Sequence, residues 1–367
     1  MSFLYCGAQN CTQYSSCRTW LHSIDFFRDV IPPNQYCHIP YCQVFQQQIK
    51  IMHLFFLSIL SLLLKHTGSR EVLFGHNNFT EYQVGNMNLI LSVPHGGSME
   101  PEDIPDREAG CWDAETSSCI FSHDCPPGSI QDYKNCKVST NQDRYTIEVA
   151  QVLAEEINKI TDGFFPHIVI NHLQRFKMDA NREKEEAAFG IPQAEQAWED
   201  YMGFLTTAKS QMTRGLILDI HGQAHPEQWI ELGYTVSKTS LNSGVFSASC
   251  SSIRYLANQL VSVSFGTLLA GNRSLGKYIE EQNNSYVCVP SPSNPSPNNG
   301  NYYSGGYITK TFGSRDSGAV DAIQMELPQW VRAPEERLRF CKALARAVMK
   351  FWQTNYCSQS NHEFLPC

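Results

Sequence analysis

Residues 215–225, Gly-Leu-Ile-Leu-Asp-Ile-His-Gly-Gln-Ala-His, narrow the choice of fold more than any other stretch of this chain. Leu216, Ile217, Leu218 and Ile220 make a short apolar run with β-branched members, closed by Gly222. An apolar run without polar alternation suits a strand buried on both faces, the kind found in the middle of a parallel sheet. Asp219 and His221 interrupt the run at its carboxyl end. Side chains alternate along a strand, so both project from one face, with His221 at the tip. Ligands of open α/β sheets bind in the crevice beyond the carboxyl ends of the strands. A neutral imidazole there can ligate a metal, with a neighbouring carboxylate to set its tautomer. The plainer alternative is a buried histidine satisfied by its strand-mate Asp219.

A second apolar strand ends the same way. In Asn88–Gly97, Pro94 stops the ladder because it has no N–H to donate, and His95 and two glycines follow. Gly96 and Gly97 let backbone pass close to a bound ion or substrate. Two strand-tip histidines in one sheet are placed to share a metal. Around them, periodicity predicts a helix over Asp143–Ile160, a strand at His167–Ile170 and a helix over Gln193–Lys209. A strand at Trp229–Val236 and a helix over Ser251–Leu269 follow. The Pro/Ser/Asn-rich Pro290–Asn301 reads as a surface loop. The last strand, Ala322–Leu327, carries Glu326 near its end, and the C-terminal helix covers Pro334–Tyr356. Strands alternating with helices predict an α/β fold: a mixed, largely parallel sheet with helices on both faces, in a single domain over residues 71–367. The formal net charge of −8 gives no electrostatic reason to expect a nucleic-acid partner.

The amino-terminal region has a different character. Residues 1–51 hold five of the fourteen cysteines and no sustained periodicity. The apolar segment in Met52–Ser69 is too short for a comfortable membrane span and matches a signal-peptide h-region followed by small residues. The expectation is a secreted protein whose true start is Met52, with 1–51 a non-native extension. An uncleaved signal anchor, and with it a membrane association, is the alternative. Nine cysteines remain from Met52 onward, and four of them crowd into the Gly/Pro/Asp-rich stretch Cys111–Cys136. That suits a disulfide-stapled loop, and the odd total implies one free or intermolecular thiol. Asn78, Asn272 and Asn283 open glycosylation sequons, which matter if the chain is secreted.

Six pieces then occur in order: Val93-Pro94-His95-Gly96-Gly97, the Asp143 helix, Asp179-Ala180-Asn181-Arg182, Asp219-Ile220-His221-Gly222, Gly305-Gly306-Tyr307-Ile308 and Ile323-Gln324-Met325-Glu326-Leu327. Together they resemble the N-formylglutamate amidohydrolase family, a branch of the zinc-carboxypeptidase-like hydrolases, over about Leu89–Met349. The resemblance implies hydrolysis of an amide in a small N-acyl amino acid or peptide, with one Zn2+ ion. His95 and His221 would be two of the ligands. The glutamate that zinc carboxypeptidases place three residues after the first histidine is Ser98 here. Asp143 matches an aspartate that recurs in the family at this helix, so the resemblance implies it as the third ligand, with Glu100 the alternative. His225 would need a helix to share a metal with His221, and this segment reads as strand then loop.

By the same resemblance Glu326 is the general base that takes a proton from the attacking water. Its plain alternative is an ordinary strand-end carboxylate. Asn181 and Arg182 would grip a substrate carboxylate, or else bind the nearby Glu185 or Glu186. Arg175 would polarise the scissile carbonyl or neutralise Asp179. Tyr307 and Arg315 would roof the site. A secreted, non-catalytic protein that binds a ligand or partner through the same cleft is the second function class, since fold kinship does not fix chemistry.

Overall fold

The computed structural model describes residues 70–357. The segment 1–51, the expected signal Met52–Ser69 and Cys367 lie outside the described residues. Eleven strands occur among them, in chain order β1 (Val72–Phe74), β2 (Thr80–Gln83), β3 (Leu89–Val93), β4 (Cys111–Asp113), β5 (Ser118–Ile120), β6 (Ser129–Gln131), β7 (His167–Asn171), β8 (Gly215–Gln223), β9 (Ile230–Gly233), β10 (Cys288–Val289) and β11 (Val320–Pro328). Eight form one sheet in the order β1-β2-β7-β3-β8-β11-β9-β10. Its centre, β7-β3-β8-β11, is parallel throughout. The flanking pairs β1–β2, β2–β7 and β9–β11 are antiparallel. The sheet is thus mixed and largely parallel, and every residue of the central strands β3, β7 and β11 is buried.

Each face of the sheet has its own core. Leu89, Leu91, Leu216, Leu218, Ile323 and Met325 pack under the helices Thr146–Ile160 and Pro334–Asn355. The alternate residues Ile90, Ile217 and Ala322 pack under the helices Pro192–Ser210 and Tyr307–Phe312. Fully burying one such Leu or Ile contributes roughly 1.5–3 kcal/mol, so the apolar lower part of both faces anchors the strands. The second face changes character toward the carboxyl ends. Above the row Ile90–Ile217–Ala322 lies a polar row, Ser92–Asp219–Gln324, and above that His221, Glu326 and Glu231 stand side by side.

Several local expectations are corrected. The helix predicted from Asp143 begins at Thr146, because Asp143 sits in the preceding turn. The strand expected at Trp229–Val236 covers only Ile230–Gly233. The single helix expected over Ser251–Leu269 is two, Arg254–Gln259 and Phe265–Leu269. Ser264 starts the second by accepting the Thr267 N–H at 3.2 Å, and helical spacing runs on across the break. Gly96 and Gly97 make close approaches to the chain itself, not to an open cavity: a Cβ on Gly97 would fall within 2.2 Å of the His172 backbone.

The stretch Cys111–Cys136, read as loop, holds a small three-stranded sheet, β5-β4-β6. Disulfides Cys111–Cys125 and Cys119–Cys136 close it. The odd cysteine count implied one unpaired thiol, whereas three are free among the described residues: exposed Cys250 and buried Cys288 and Cys341. Asn78 and Asn272, which open sequons, are exposed, and Asn283 is half-buried. No helix of the described residues is long and apolar enough to cross a membrane.

Candidate metal centre

Three donor atoms converge at the carboxyl ends of β3 and β8. His95 follows β3 by two residues, His221 stands near the end of β8, and Asp143 comes from the turn before the helix Thr146–Ile160. The Nδ1 atoms of His95 and His221 each lie 3.2 Å from Oδ2 of Asp143. All three side chains are buried, and one donor atom from each lies within 4.8 Å of the others. Backbone bonds hold the convergence: the Asp143 N–H donates to the His95 carbonyl at 3.0 Å, and the Thr146 hydroxyl donates to the Asp143 carbonyl at 2.8 Å.

The far nitrogen of each imidazole meets a second carboxylate. Nε2 of His95 is 2.6 Å from Oδ1 of Asp179, and Nε2 of His221 is 2.9 Å from Oδ2 of Asp219. An ionised carboxylate only accepts, so each Nε2 carries a proton, and an ion bound among the three donors would take the Nδ1 lone pairs. Asp219 in turn accepts the Ser92 hydroxyl at 2.8 Å. Asp179 accepts Nε of Arg175 at 2.8 Å, with the Arg107 guanidinium 3.7 Å away. Burial alone would raise the Asp179 pKa, yet the charge of Arg175 and the imidazole of His95 hold it well below the usual carboxylate range. Burial likewise opposes ionisation of Asp143, but the hydrogen bonds to His221 and His95 hold its carboxyl low.

This donor set fits a divalent cation. With both imidazoles neutral, two Nδ1 lone pairs and a carboxylate oxygen would oppose one another unless a positive charge sat among them. Zinc bonds of about 2.0–2.1 Å at tetrahedral angles would space ligand atoms roughly 3.3 Å apart. The two Nδ1–Oδ2 separations of 3.2 Å match that spacing. Two imidazoles and one carboxylate are donor types that zinc accepts, and the carboxylates behind the imidazoles are the usual outer partners of such ligands. Glu100, the alternative third ligand, is exposed and outside this group.

Glu326 lies in β11 directly opposite His221 in β8, on the same face of the sheet. It is buried, and Oε1 accepts Nε2 of Gln324 at 2.8 Å. Burial pushes its pKa up to about 8: the nearby His221 works against this rise, and the carboxylates of Asp143 and Glu231 add to it.

Sequence reasoning missed Arg332. This buried guanidinium donates from Nε to the Leu327 carbonyl at 3.1 Å, from Nη2 to the Gln223 carbonyl at 3.3 Å, and from Nη1 to the Arg144 carbonyl. Those carbonyls follow Glu326 by one residue, His221 by two and Asp143 by one, so a single side chain ties together the three segments that carry the site. The available signal was Gly222, where a Cβ would come within 2.4 Å of the Arg332 guanidinium carbon. Asp179 was also unassigned, although its place just after a core strand marked it as a fixed polar group.

The remaining expected residues divide. Arg175 stands beside the centre, its Nε on Asp179 and its Nη atoms without a protein hydrogen bond among the described residues. Asn181 is buried with its amide engaged: Oδ1 accepts the Ile308 N–H at 2.9 Å, and Nδ2 donates to Oε1 of Gln324 at 3.5 Å. Arg182 takes its plainer alternative, donating from Nε to Glu186 at 3.0 Å and from Nη1 to the Asn181 carbonyl at 2.8 Å. Tyr307 opens the helix Tyr307–Phe312 with its ring 6.0 Å from that of Trp198. Arg315 is corrected outright. It precedes Val320, which pairs with Gly215 at the amino end of β8, so it lies at the opposite end of the strands, roughly 20 Å of strand away from Glu326. After the helix Tyr307–Phe312 the Ser314 hydroxyl donates to Asp321, the second residue of β11, which keeps the adjoining Arg315 toward that end.

Comparison with protein-family models and with curated proteins gives no match. Among solved structures the chain is similar to an N-formylglutamate amidohydrolase from Ralstonia eutropha JMP134, at 11% identity and TM-score 0.43, over 79% of this chain and 99% of that one. It is also similar to the N-acetylmuramyl-L-alanine amidase Ami1 from Mycobacterium smegmatis, at 11% identity and TM-score 0.30, over 72% and 97%. The third is the CwlD amidase from Clostridioides difficile, in complex with the GerS lipoprotein, at 10% identity and TM-score 0.30, over 73% and 100%. At these scores the likenesses assign no chemistry, and the chain's own geometry must carry it.

Proposed function

We propose that this chain is a secreted, zinc-dependent amidohydrolase that cleaves the amide of an N-acyl amino acid or short peptide. One observation carries the reading: two carboxylate-backed imidazoles face the same Asp143 oxygen through Nδ1, with Glu326 in register beside His221. His95, Asp143 and His221 would hold the ion. A zinc ion bound there polarises the scissile carbonyl and lowers the pKa of the attacking water.

The chain's own groups perform the rest. Glu326, destabilised as an anion by its burial, takes the proton that the water loses as its oxygen bonds to the carbonyl carbon. Arg175, anchored through Nε to Asp179, has Nη groups left to stabilise negative charge on the carbonyl oxygen. Asp219 and Asp179 fix the imidazole tautomers, and Arg332 keeps the three loops in place. Secretion is supported by the signal-like segment Met52–Ser69 and by two disulfides within 26 residues, at home in an oxidising compartment.

The test is metal analysis of the zinc-reconstituted protein, followed by a hydrolysis screen with N-formyl and N-acetyl amino acids and C-terminal peptides. About one zinc per chain and turnover of at least one amide are expected. Zinc without turnover would leave the ligand-binding class, and absence of zinc would overturn the metal centre itself.

A further inference from the structure

Beside the proposed metal centre a third imidazole is held by a buried carboxylate. Nδ1 of His225 lies 2.6 Å from Oε1 of Glu231, whose other oxygen accepts the Tyr303 N–H at 2.7 Å. Glu231 is fully buried, and His225 is its one basic partner among the described residues. In the β9–β11 pair Glu231 stands directly opposite Glu326, so both side chains share the face that carries His221. The His225 ring packs on Tyr303, centroids 4.8 Å apart, and its side chain remains 19% exposed. No described residue bonds its Nε2.

A structural glutamate next to Glu326 is an expensive choice, since like charges directly opposite on paired strands destabilise each other. What Glu231 does there is fix the His225 ring and direct Nε2 outward, the arrangement of an oriented acid–base imidazole. We infer that His225, aimed by Glu231, is a second proton-transfer residue of this site and protonates the leaving amine. The inference rests on the hydrolase reading above.

The step balances. Water gives one proton to Glu326 as its oxygen bonds to the carbonyl carbon. The carbon–nitrogen bond then breaks, its electron pair stays on nitrogen, and nitrogen takes the proton from Nε2 of His225. The proton on Glu326 returns to His225 directly or through solvent, leaving a carboxylic acid, an amine and the starting enzyme. Glu326 handles the water and His225 handles the amine.

An amine leaves only after protonation, whereas an alcohol leaves more readily without it. The test compares an N-acetyl amino acid with its ester analogue, in which oxygen replaces the amide nitrogen. His225→Gln should lose about 10²-fold or more in kcat on the amide and less than about 10-fold on the ester, with zinc content unchanged. If His225→Gln fails to fold because Glu231 is left alone, the double variant His225→Gln/Glu231→Gln restores a neutral amide pair and is read the same way. An amide-to-ester ratio equal to wild type in the folded variant overturns the inference, because a structural partner of Glu231 has no reason to distinguish leaving groups. Wild-type zinc protein that cleaves neither substrate overturns the hydrolase reading first, and the assignment of His225 with it.

Discussion

The guanidinium of Arg332 occupies the space that any side chain on Gly222 would need. One residue is small because the other is large, and the second ties the segments of Asp143, His221 and Glu326 to one point through their carbonyls. Arg332→Lys keeps the charge but cannot span three carbonyls with one ammonium. It should lower zinc affinity by about 10-fold or more, on the scale of outer-partner losses, while Gly222→Ala should cost about 1–3 kcal/mol of stability through overpacking. Zinc titration and urea denaturation read the two effects separately. Unchanged zinc affinity in Arg332→Lys would reduce Arg332 to a packing residue.

Removing ligands and removing their supports should give different results. His221→Ala and Asp143→Asn should abolish stoichiometric zinc. Asp219→Asn leaves all three ligands in place and removes only the acceptor behind His221, 2.9 Å away. It should weaken zinc by about 10–100-fold. Competition with a chelator of known affinity ranks the three variants. Equal loss in all of them would mean that Asp219 supports the fold and not the ligand.

Glu326→Gln preserves shape and touches none of the donor atoms. Zinc content should match wild type while kcat falls about 10²–10⁴-fold, the usual cost of losing a general base. Steady-state kinetics alongside elemental analysis decide it. Turnover at the wild-type rate would return Glu326 to the role of an ordinary strand-end carboxylate.

Away from the site, His167 makes stability sensitive to acid. Its Nδ1 faces the Gly85 N–H at 3.0 Å and the Tyr82 hydroxyl at 2.8 Å, and burial, aided by the charge of Arg70, lowers its pKa from 6.5 to about 4. Below pH 6.5 the unfolded chain binds a proton that the folded chain refuses. Stability is therefore full above pH 6.5 and falls as pH drops toward 4, by up to roughly 3 kcal/mol. His167→Gln should flatten that slope in denaturation curves taken from pH 7 to pH 4.

How much of this was legible in the sequence depended on whether a residue announced itself locally. His95, His221 and Glu326 interrupt apolar strands at their carboxyl ends, where a polar residue has few other reasons to be. Asp143 was read as the first residue of its helix, its ligand role coming from the resemblance, whereas it sits in the turn before the helix. Arg332 contacts Arg144 across 188 residues, and no local pattern encodes a meeting that only the packed helices bring about. Asn181 and Arg182 sit in an irregular segment, where adjacency in sequence does not say which way a side chain points. Arg315 was misplaced because nearness to Tyr307 in sequence does not reveal that the helix between them leads toward the amino end of β11, where Ser314 bonds Asp321.

The alternation along β11 sets a limit on how this chain can change over time. Ile323 and Met325 belong to one core, while Ala322, Gln324 and Glu326 face the other side, and Glu326 alone in the strand meets His221. Losing or gaining one codon between Val320 and Glu326 would exchange the two faces. A methionine or leucine would then stand beside His221, and the glutamate would press into the apolar packing under the C-terminal helix. Substitutions can be tried there singly, but changes of length are admissible only in pairs.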